Sequence, residues 1–260
     1  MQNLVEHKPI LYRSDIDGLR SLAVTMVILF HIWPHILTGG FIGVDVFFVI
    51  SGFLITSIIN KELNAGTFTF KLFYTRRIKR ILPVFYTMVF FTSLAAYFLL
   101  LPNFYLKFVE TAVSASTYLS NVYFSKTSDY FALDSNAYPL LHTWSLSVEE
   151  QYYIFWPLVL VLLNMWSKRP KWINLFTIGI MFIASYSFSI YSIQYNSSTG
   201  YYSIFSRAFE LMVGSILALF LVQKPNIFSD FSVRSKWILV NLIALIGLCL
   251  IIMSSYTLRN

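Results

Sequence analysis

An all-α, polytopic transmembrane bundle of about seven spans, with one long extracytoplasmic loop, is the fold class this sequence predicts. Three observations predict it. The chain is 57% hydrophobic and 12% charged, whereas soluble domains are about 45–50% apolar and about 25% charged. Its mean hydropathy is +0.65. Seven stretches carry the roughly 20 mainly apolar residues that a helix needs to cross a hydrocarbon core.

The spans lie near 19–37, 42–59, 83–101, 148–166, 172–191, 203–222 and 237–255. The first is a retained span rather than a cleaved signal peptide. Arg13, Asp15, Asp17 and Arg20 interrupt its approach, and no small-residue cleavage site follows. A turn near Thr38–Gly40 makes spans one and two a hairpin. Pro83 marks the start of the third span and Pro102 its end, while Pro170 and Pro225 mark later edges. Trp33, Trp144, Trp166, Trp172 and Trp237 fall near boundaries, as an aromatic belt requires. Cys249 lies in the apolar run of the last span without a neighbouring charge, which suits packing rather than catalysis.

Residues 104–124 are ambiguous, and charge decides them. With a cytoplasmic N-terminus and 104–124 outside the membrane, fifteen of the nineteen Lys and Arg residues fall in inner segments. Letting 104–124 span would turn Ser167–Lys171 outward, against the positive-inside tendency. Residues 102–147 are therefore read as an outer loop bearing a surface helix. The domain plan is a cytoplasmic tail, 1–11, and a membrane domain, 12–255. A net charge of +7 then reflects topology and contact with membrane lipids, not nucleic acid.

Four groups of residues carry chemistry. In the first span His31 follows Arg20 by eleven positions, ~16 Å along a helix axis. Ionisable groups in hydrocarbon are costly and usually functional, so Arg20 is read as a surface handle and His31 as a deep proton-transfer group. Asp45, at similar depth across the hairpin, is a candidate orienter of that imidazole, or an N-terminal helix acid. In the basic segment before span three, Arg76 and Arg80 share a helix face and Arg77 points about 100° away. Such arginines suit phosphates, anionic lipid heads, or a plain inner loop. His142, Glu149 and Glu150 enter span four from outside. Adjacent glutamates diverge, so only one of them faces the interior well. Arg207 and Glu210 open span six, three positions apart, for substrate or for each other. No set of residues has the spacing of a metal site.

These same residues carry a resemblance. The blocks DIDGLRSLAV, GGFIGVDVFFVISGFLI (39–55), TRRIKRILP (75–83), HTWSLSVEEQYY (142–153) and RAFELMVG (207–214) occur in order. The chain resembles the acyltransferase-3 family, bacterial inner-membrane O-acyltransferases of surface polysaccharides. The resemblance implies a cytoplasmic acyl-CoA donor, usually acetyl-CoA, used as a substrate rather than held as a cofactor. It implies His31 as the catalytic histidine, with Arg20, Arg76, Arg77 and Arg80 serving the donor. The acceptor it implies is a sugar hydroxyl on a lipid-linked or envelope glycan, as in lipopolysaccharide. A base working near neutrality suits imidazole, and a covalent acyl-histidine is the other route. Family members usually have about ten spans, so further spans are expected beyond the seven here. Two rival readings are a lipid-linked glycan transporter, since buried His and acidic groups also relay protons, and an inactive scaffold.

Overall fold

The computed structural model describes residues 13–127, 138–165, 172–223 and 233–257, with side chains only for 241–255 in the last segment. The predicted tail, 1–11, lies outside the described residues, as do Lys168, Arg169, Lys171 and Lys224. Within them every regular element is helical. Ten helices follow one another: α1 (Ser14–Ile32), α2 (Ile42–Asn64), α3 (Phe70–Leu99), α4 (Pro102–Ser116), α5 (Ser120–Thr127), α6 (Thr143–Met165), α7 (Trp172–Tyr195), α8 (Ser197–Tyr202), α9 (Ile204–Gln223) and α10 (Val233–Thr257). Among the described residues five segments are long and apolar enough to cross a membrane: Ile42–Asn64, Phe70–Leu99, Thr143–Met165, Ile173–Tyr195 and Ser197–Val222. Asp15, Asp17 and Arg20 lower the apolar character of α1. In α10 the described apolar stretch is Asn241–Ser255.

Several boundaries differ from the sequence expectation. The first span stops at Ile32 rather than Leu37, because Trp33 precedes Pro34 and a residue before proline is pushed out of helical geometry. Pro83 lies inside α3 instead of at its edge. The basic segment is thus the first third of one 30-residue helix, begun by Thr69, whose side chain accepts from the Leu72 amide at 3.3 Å. Proline is tolerated within membrane helices where neighbouring groups take up the freed backbone partners. The expected outer loop contains two helices, α4 and α5. Both are engaged, the first burying Phe108, Thr111 and Ala115 and the second Ser120, Asn121 and Phe124. A short helix, α8, precedes α9 and is capped by Asn196, whose Oδ1 accepts from the Thr199 amide at 3.0 Å.

The centre of the fold is the pair α2 and α9, the most extensively packed of all. They run parallel, since Asp45 meets Arg207 near their starts and Thr56 meets Ser215 further along. Glycine allows the approach. A Cβ on Gly52 would strike the Leu211 carbonyl oxygen, and one on Gly214 the Val49 carbonyl oxygen. Lipid tails are as apolar as leucine, so membrane helices associate through such close packing and through interhelical hydrogen bonds. Here α6 joins the pair, also in parallel. Trp156 Nε1 donates to Thr56 Oγ1 at 2.7 Å, and Thr56 Oγ1 donates to Ser215 Oγ at 2.8 Å. Tyr152 OH lies 2.9 Å from the same serine oxygen. Phe48, Ile55, Ile59, Trp144, Trp156 and Leu211 fill the surrounding core and are 0–2% exposed.

The remaining helices wrap this trio. Helix α1 folds back on α2, with Gly43 closing on the Ala23 backbone. Helix α3 runs antiparallel to α6, tied by Tyr74 OH donating to the Ile154 carbonyl at 2.8 Å. Helices α3 and α7 keep large apolar faces open, including Phe90, Phe98 and Leu99 on one and Phe176 and Ile183 on the other, as lipid contact requires. The bundle has a hairpin end, where α1 finishes and α2, α6 and α9 begin. At its opposite end α1 and α3 begin.

Two stability predictions follow from the α2–α9 contact. Gly52→Val should lower the thermal transition of the detergent-purified chain by the equivalent of about 1–3 kcal/mol or more, as overpacking does. Gly179→Ala, whose new Cβ meets nothing within 4 Å, should leave that transition unchanged or slightly raised. Thr56→Val should destabilise by about 1–3 kcal/mol, because it strands the buried Trp156 N–H. A Trp156→Phe, Thr56→Val double variant should recover part of that loss in the same measurement.

Candidate active site

His31 stands in the last turn of α1 and is exposed at the hairpin end. Its Nδ1 lies 2.8 Å from the Val27 carbonyl. A carbonyl can only accept, so Nδ1 carries a proton there, and in the neutral imidazole the lone pair is on Nε2. The Phe30 ring meets the imidazole edge-on at 5.3 Å. The sequence expectation of a deep histidine oriented by Asp45 is therefore corrected on both counts. The imidazole is at the rim, because α1 ends one residue later, and a backbone carbonyl orients it.

His142, just before α6, shares this end. It is open to the outside, yet the protein around it removes enough water to hold its pKa below the usual imidazole value. The nearby charge of His31 pushes the same way, against a raising effect from a hydrogen bond at Pro139. The two imidazoles are thus electrostatic neighbours, an arrangement in which both are not readily charged together.

Asp45 belongs to a different group. Arg207 Nη1 donates to Glu210 Oε1 at 2.7 Å and to Asp45 Oδ1 at 3.3 Å. Its Nε donates to the Tyr201 carbonyl at 2.8 Å. The guanidinium also lies 4.5 Å from the Tyr201 ring centroid and 5.7 Å from that of Trp144. The pairing of Arg207 with Glu210 read from their spacing is present, and Asp45 completes it. Removing one partner from a buried group of this kind costs about 3–5 kcal/mol, so the cluster clasps α9 to α2 beside the rim.

A second polar group lies deeper. Ser51 on α2 is 2% exposed, and its Oγ donates to Glu149 Oε1 on α6 at 2.6 Å. Arg20 and Arg77 both act electrostatically on that carboxylate. The Nε of Arg20 is buried without a hydrogen-bond partner. Arg77 stacks its guanidinium 3.8 Å from the Tyr153 ring centroid and 5.5 Å from that of Phe73. Glu150 points to another sector, where Arg77 and Tyr118 are its neighbours, and its Oε1 is buried without a partner. Its carboxylate and its own burial hold the Tyr118 hydroxyl up at about 12, burial being the larger cause. Of the two adjacent glutamates, Glu149 faces α2 and Glu150 faces α3, as their divergence on one helix requires.

The three arginines of α3 separate by facing. Arg76 is exposed and paired with Glu62 at 2.6 Å. Arg80 is exposed. Arg77 alone turns into the bundle, because it lies about 100° from Arg76 on the helix. Arg20 likewise points inward instead of serving as a surface handle, so the depths expected for Arg20 and His31 are exchanged. Sequence reasoning missed Ser51 and Tyr153. A serine within the apolar run VFFVISGFLI was the available signal for Ser51. For Tyr153 only its place beside the glutamates was on view.

Comparison with known proteins bears on what this arrangement does. The family model described as "Acyltransferase domain" matches residues 13–259. A Staphylococcus aureus (strain MSSA476) protein named "Putative O-acetyltransferase SAS0844" is 38% identical over 84% of this chain, which covers 36% of that protein. The peptidoglycan O-acetyltransferase OatA of Listeria monocytogenes is 34% identical over 94% of this chain, which covers 40% of it. An uncharacterized Haemophilus influenzae protein is 41% identical over 68% of this chain and 74% of its own length. The chain thus spans well under half of the two named transferases. No solved structure matches it. The family match over nearly the whole chain, on a helical membrane bundle with these polar groups inside, places the chain in the acyltransferase-3 family.

Proposed function

We propose that this chain is the membrane part of an O-acetyltransferase that moves an acetyl group from cytoplasmic acyl-CoA to a sugar hydroxyl of a lipid-linked or cell-envelope glycan. The observation that carries the reading is the division of functional groups between the two ends of the bundle. In the first third of α3 Arg76 and Arg80 face outward and Arg77 turns inward toward the level of Arg20, while His31 and His142 stand at the other end. An anionic donor and a neutral hydroxyl acceptor call for that division. The exposed arginines present planar forks suited to the phosphates of a coenzyme A. Arg77 lies seven residues into α3, ~10 Å along the axis, where a pantetheine arm passing inward would meet it. His31 keeps a free Nε2 and takes the proton of the acceptor hydroxyl. The hairpin end is then extracytoplasmic in a bacterial inner membrane, and the N-terminus cytoplasmic. The names of the relatives support O-acetylation.

His31→Ala should lower acetyl transfer by about 10²–10⁴-fold, the usual loss for a general base, while the protein still inserts and binds acetyl-CoA. Near-normal transfer would end the assignment. For the donor, Arg77→Lys should weaken acetyl-CoA binding clearly, because lysine cannot reproduce the fork or the stack on Tyr153. Lys61→Ala should bind as the parent does. Equal weakening by both would point to generic attraction of anions. Topology is checked with single cysteines in a Cys249→Ala background. A cysteine at Lys126 should react with an impermeant thiol reagent from outside, and one at Lys71 only after permeabilisation. The reverse pattern would invert the proposed sidedness.

A further inference from the structure

We propose that Ser51 is a covalent way-station, its Oγ taking the acyl group from the donor thioester as an ester before the acceptor hydroxyl receives it. The inference rests on the reading of the chain as an acyl-CoA-dependent transferase. It begins from depth. Ser51 lies nine residues into α2 from the hairpin end, and His31 one residue from the end of α1. Gly43 near the start of α2 packs on Ala23 and Val27, so His31 lies four to eight residues beyond that level one way and Ser51 eight the other, roughly 20 Å apart along the bundle. Arg20 and Arg77 are at the level of Ser51 and Glu149. A thioester held by these arginines is therefore beside Ser51 and remote from His31.

The local geometry is that of an activated nucleophile. A serine hydroxyl 2.6 Å from a carboxylate oxygen has its general base in place. Two cations stand by with unused donors. The Arg20 Nε is buried and unpaired, and Arg77, stacked on two rings and near the Glu149 and Glu150 carboxylates, makes no hydrogen bond to the described residues. Donors aimed at the place where an oxyanion develops are the commonest large contribution to acyl transfer. The contrast with Thr56 and Ser215 is instructive. Those hydroxyls sit in an uncharged chain between Trp156, Tyr152 and backbone carbonyls, with every partner supplied. A bond needed only to hold α2 to α6 calls for neither a carboxylate nor two arginines with free donors.

The steps balance. The Ser51 oxygen bonds to the thioester carbonyl carbon, its proton passes to Glu149, and the carbon–sulfur bond breaks to leave a thiolate facing Arg20 and Arg77. The acceptor hydroxyl oxygen then bonds to the same carbon and the Oγ–carbon bond breaks. Glu149 returns its proton to Oγ and takes the hydroxyl's proton in its place, then releases that proton toward the hairpin end, where His31 is its final acceptor. The acyl group alone crosses the middle of the bundle.

The test uses the whole protein in membrane vesicles, given acetyl-CoA with an isotopically labelled acetyl group and no acceptor, then quenched in acid and mapped by peptide mass. An acetyl ester on the Ser51 peptide, removed by hydroxylamine and absent from Ser51→Ala, is the expected result. Glu149→Gln should slow its formation by about 10²–10⁴-fold, and Ser51→Cys should carry the label as a thioester. Ser51→Ala should lose transfer to an acceptor by a similar factor while binding acetyl-CoA normally. If Ser51→Ala fails to insert, the wild-type peptide map decides alone. Normal transfer with an unlabelled Ser51 peptide, or a label on His31 instead, overturns the way-station and leaves the transferase reading intact. Absence of any transfer from acetyl-CoA by the wild type overturns both.

Discussion

The distance between α2 and α9 controls the rest of the molecule. Two glycines, Gly52 and Gly214, let each helix backbone rest against the other's carbonyls. That approach brings Thr56 onto Ser215 and Asp45 onto Arg207. It also fixes the rotation of α2, which turns Ser51 toward α6 and Glu149. In lipid there is no hydrophobic force to press helices together, so close backbone contact and a few hydrogen bonds must do it. A bulky side chain at either glycine would move the base, the clasp and the serine together.

Charge within the bundle follows a consistent rule. Ionised groups among apolar helices are expensive unless compensated, and here they occur in two mixed clusters rather than singly. In the Arg207 cluster the one cation is engaged by two carboxylates, a carbonyl and two rings, and the atom left over, Glu210 Oε2, is an acceptor. In the Arg20–Arg77–Glu149 cluster the cations keep spare donors, on the buried Arg20 Nε and the stacked Arg77 guanidinium. Spare cationic donors suit an anionic ligand, and a spare carboxylate oxygen does not. That difference, more than position, separates the structural group from the candidate donor site. It also shifts attention from the exposed pair Arg76 and Arg80 to Arg77.

Much of the fold was legible because its signals are local. Runs of apolar residues, a basic segment and punctuating prolines fix where helices exist, since lipid demands that every backbone group be satisfied within the segment. The exceptions were also local in origin. Pro34 ended α1 early through its effect on Trp33, and Pro83 was absorbed into α3 because a membrane helix tolerates it. The polar candidates were mostly found, since charged residues in apolar runs are conspicuous. Their pairings were not. Counting from the turn sets Asp45 beside His31, yet Arg207, distant by 162 positions, claims it.

By itself the sequence determined the helical membrane class, the set of ionisable residues inside it and the family signature in its five ordered blocks. Those depend on composition and on spacing within one helix, where 3.6 residues per turn fix relative direction. Only the tertiary structure decided which arginine enters the bundle, which glutamate meets α2, and that an uncharged serine lies between them. Such outcomes depend on how helices are rotated and shifted against one another. Contacts between glycines and distant backbone carbonyls set that, and no periodicity along a single segment records it.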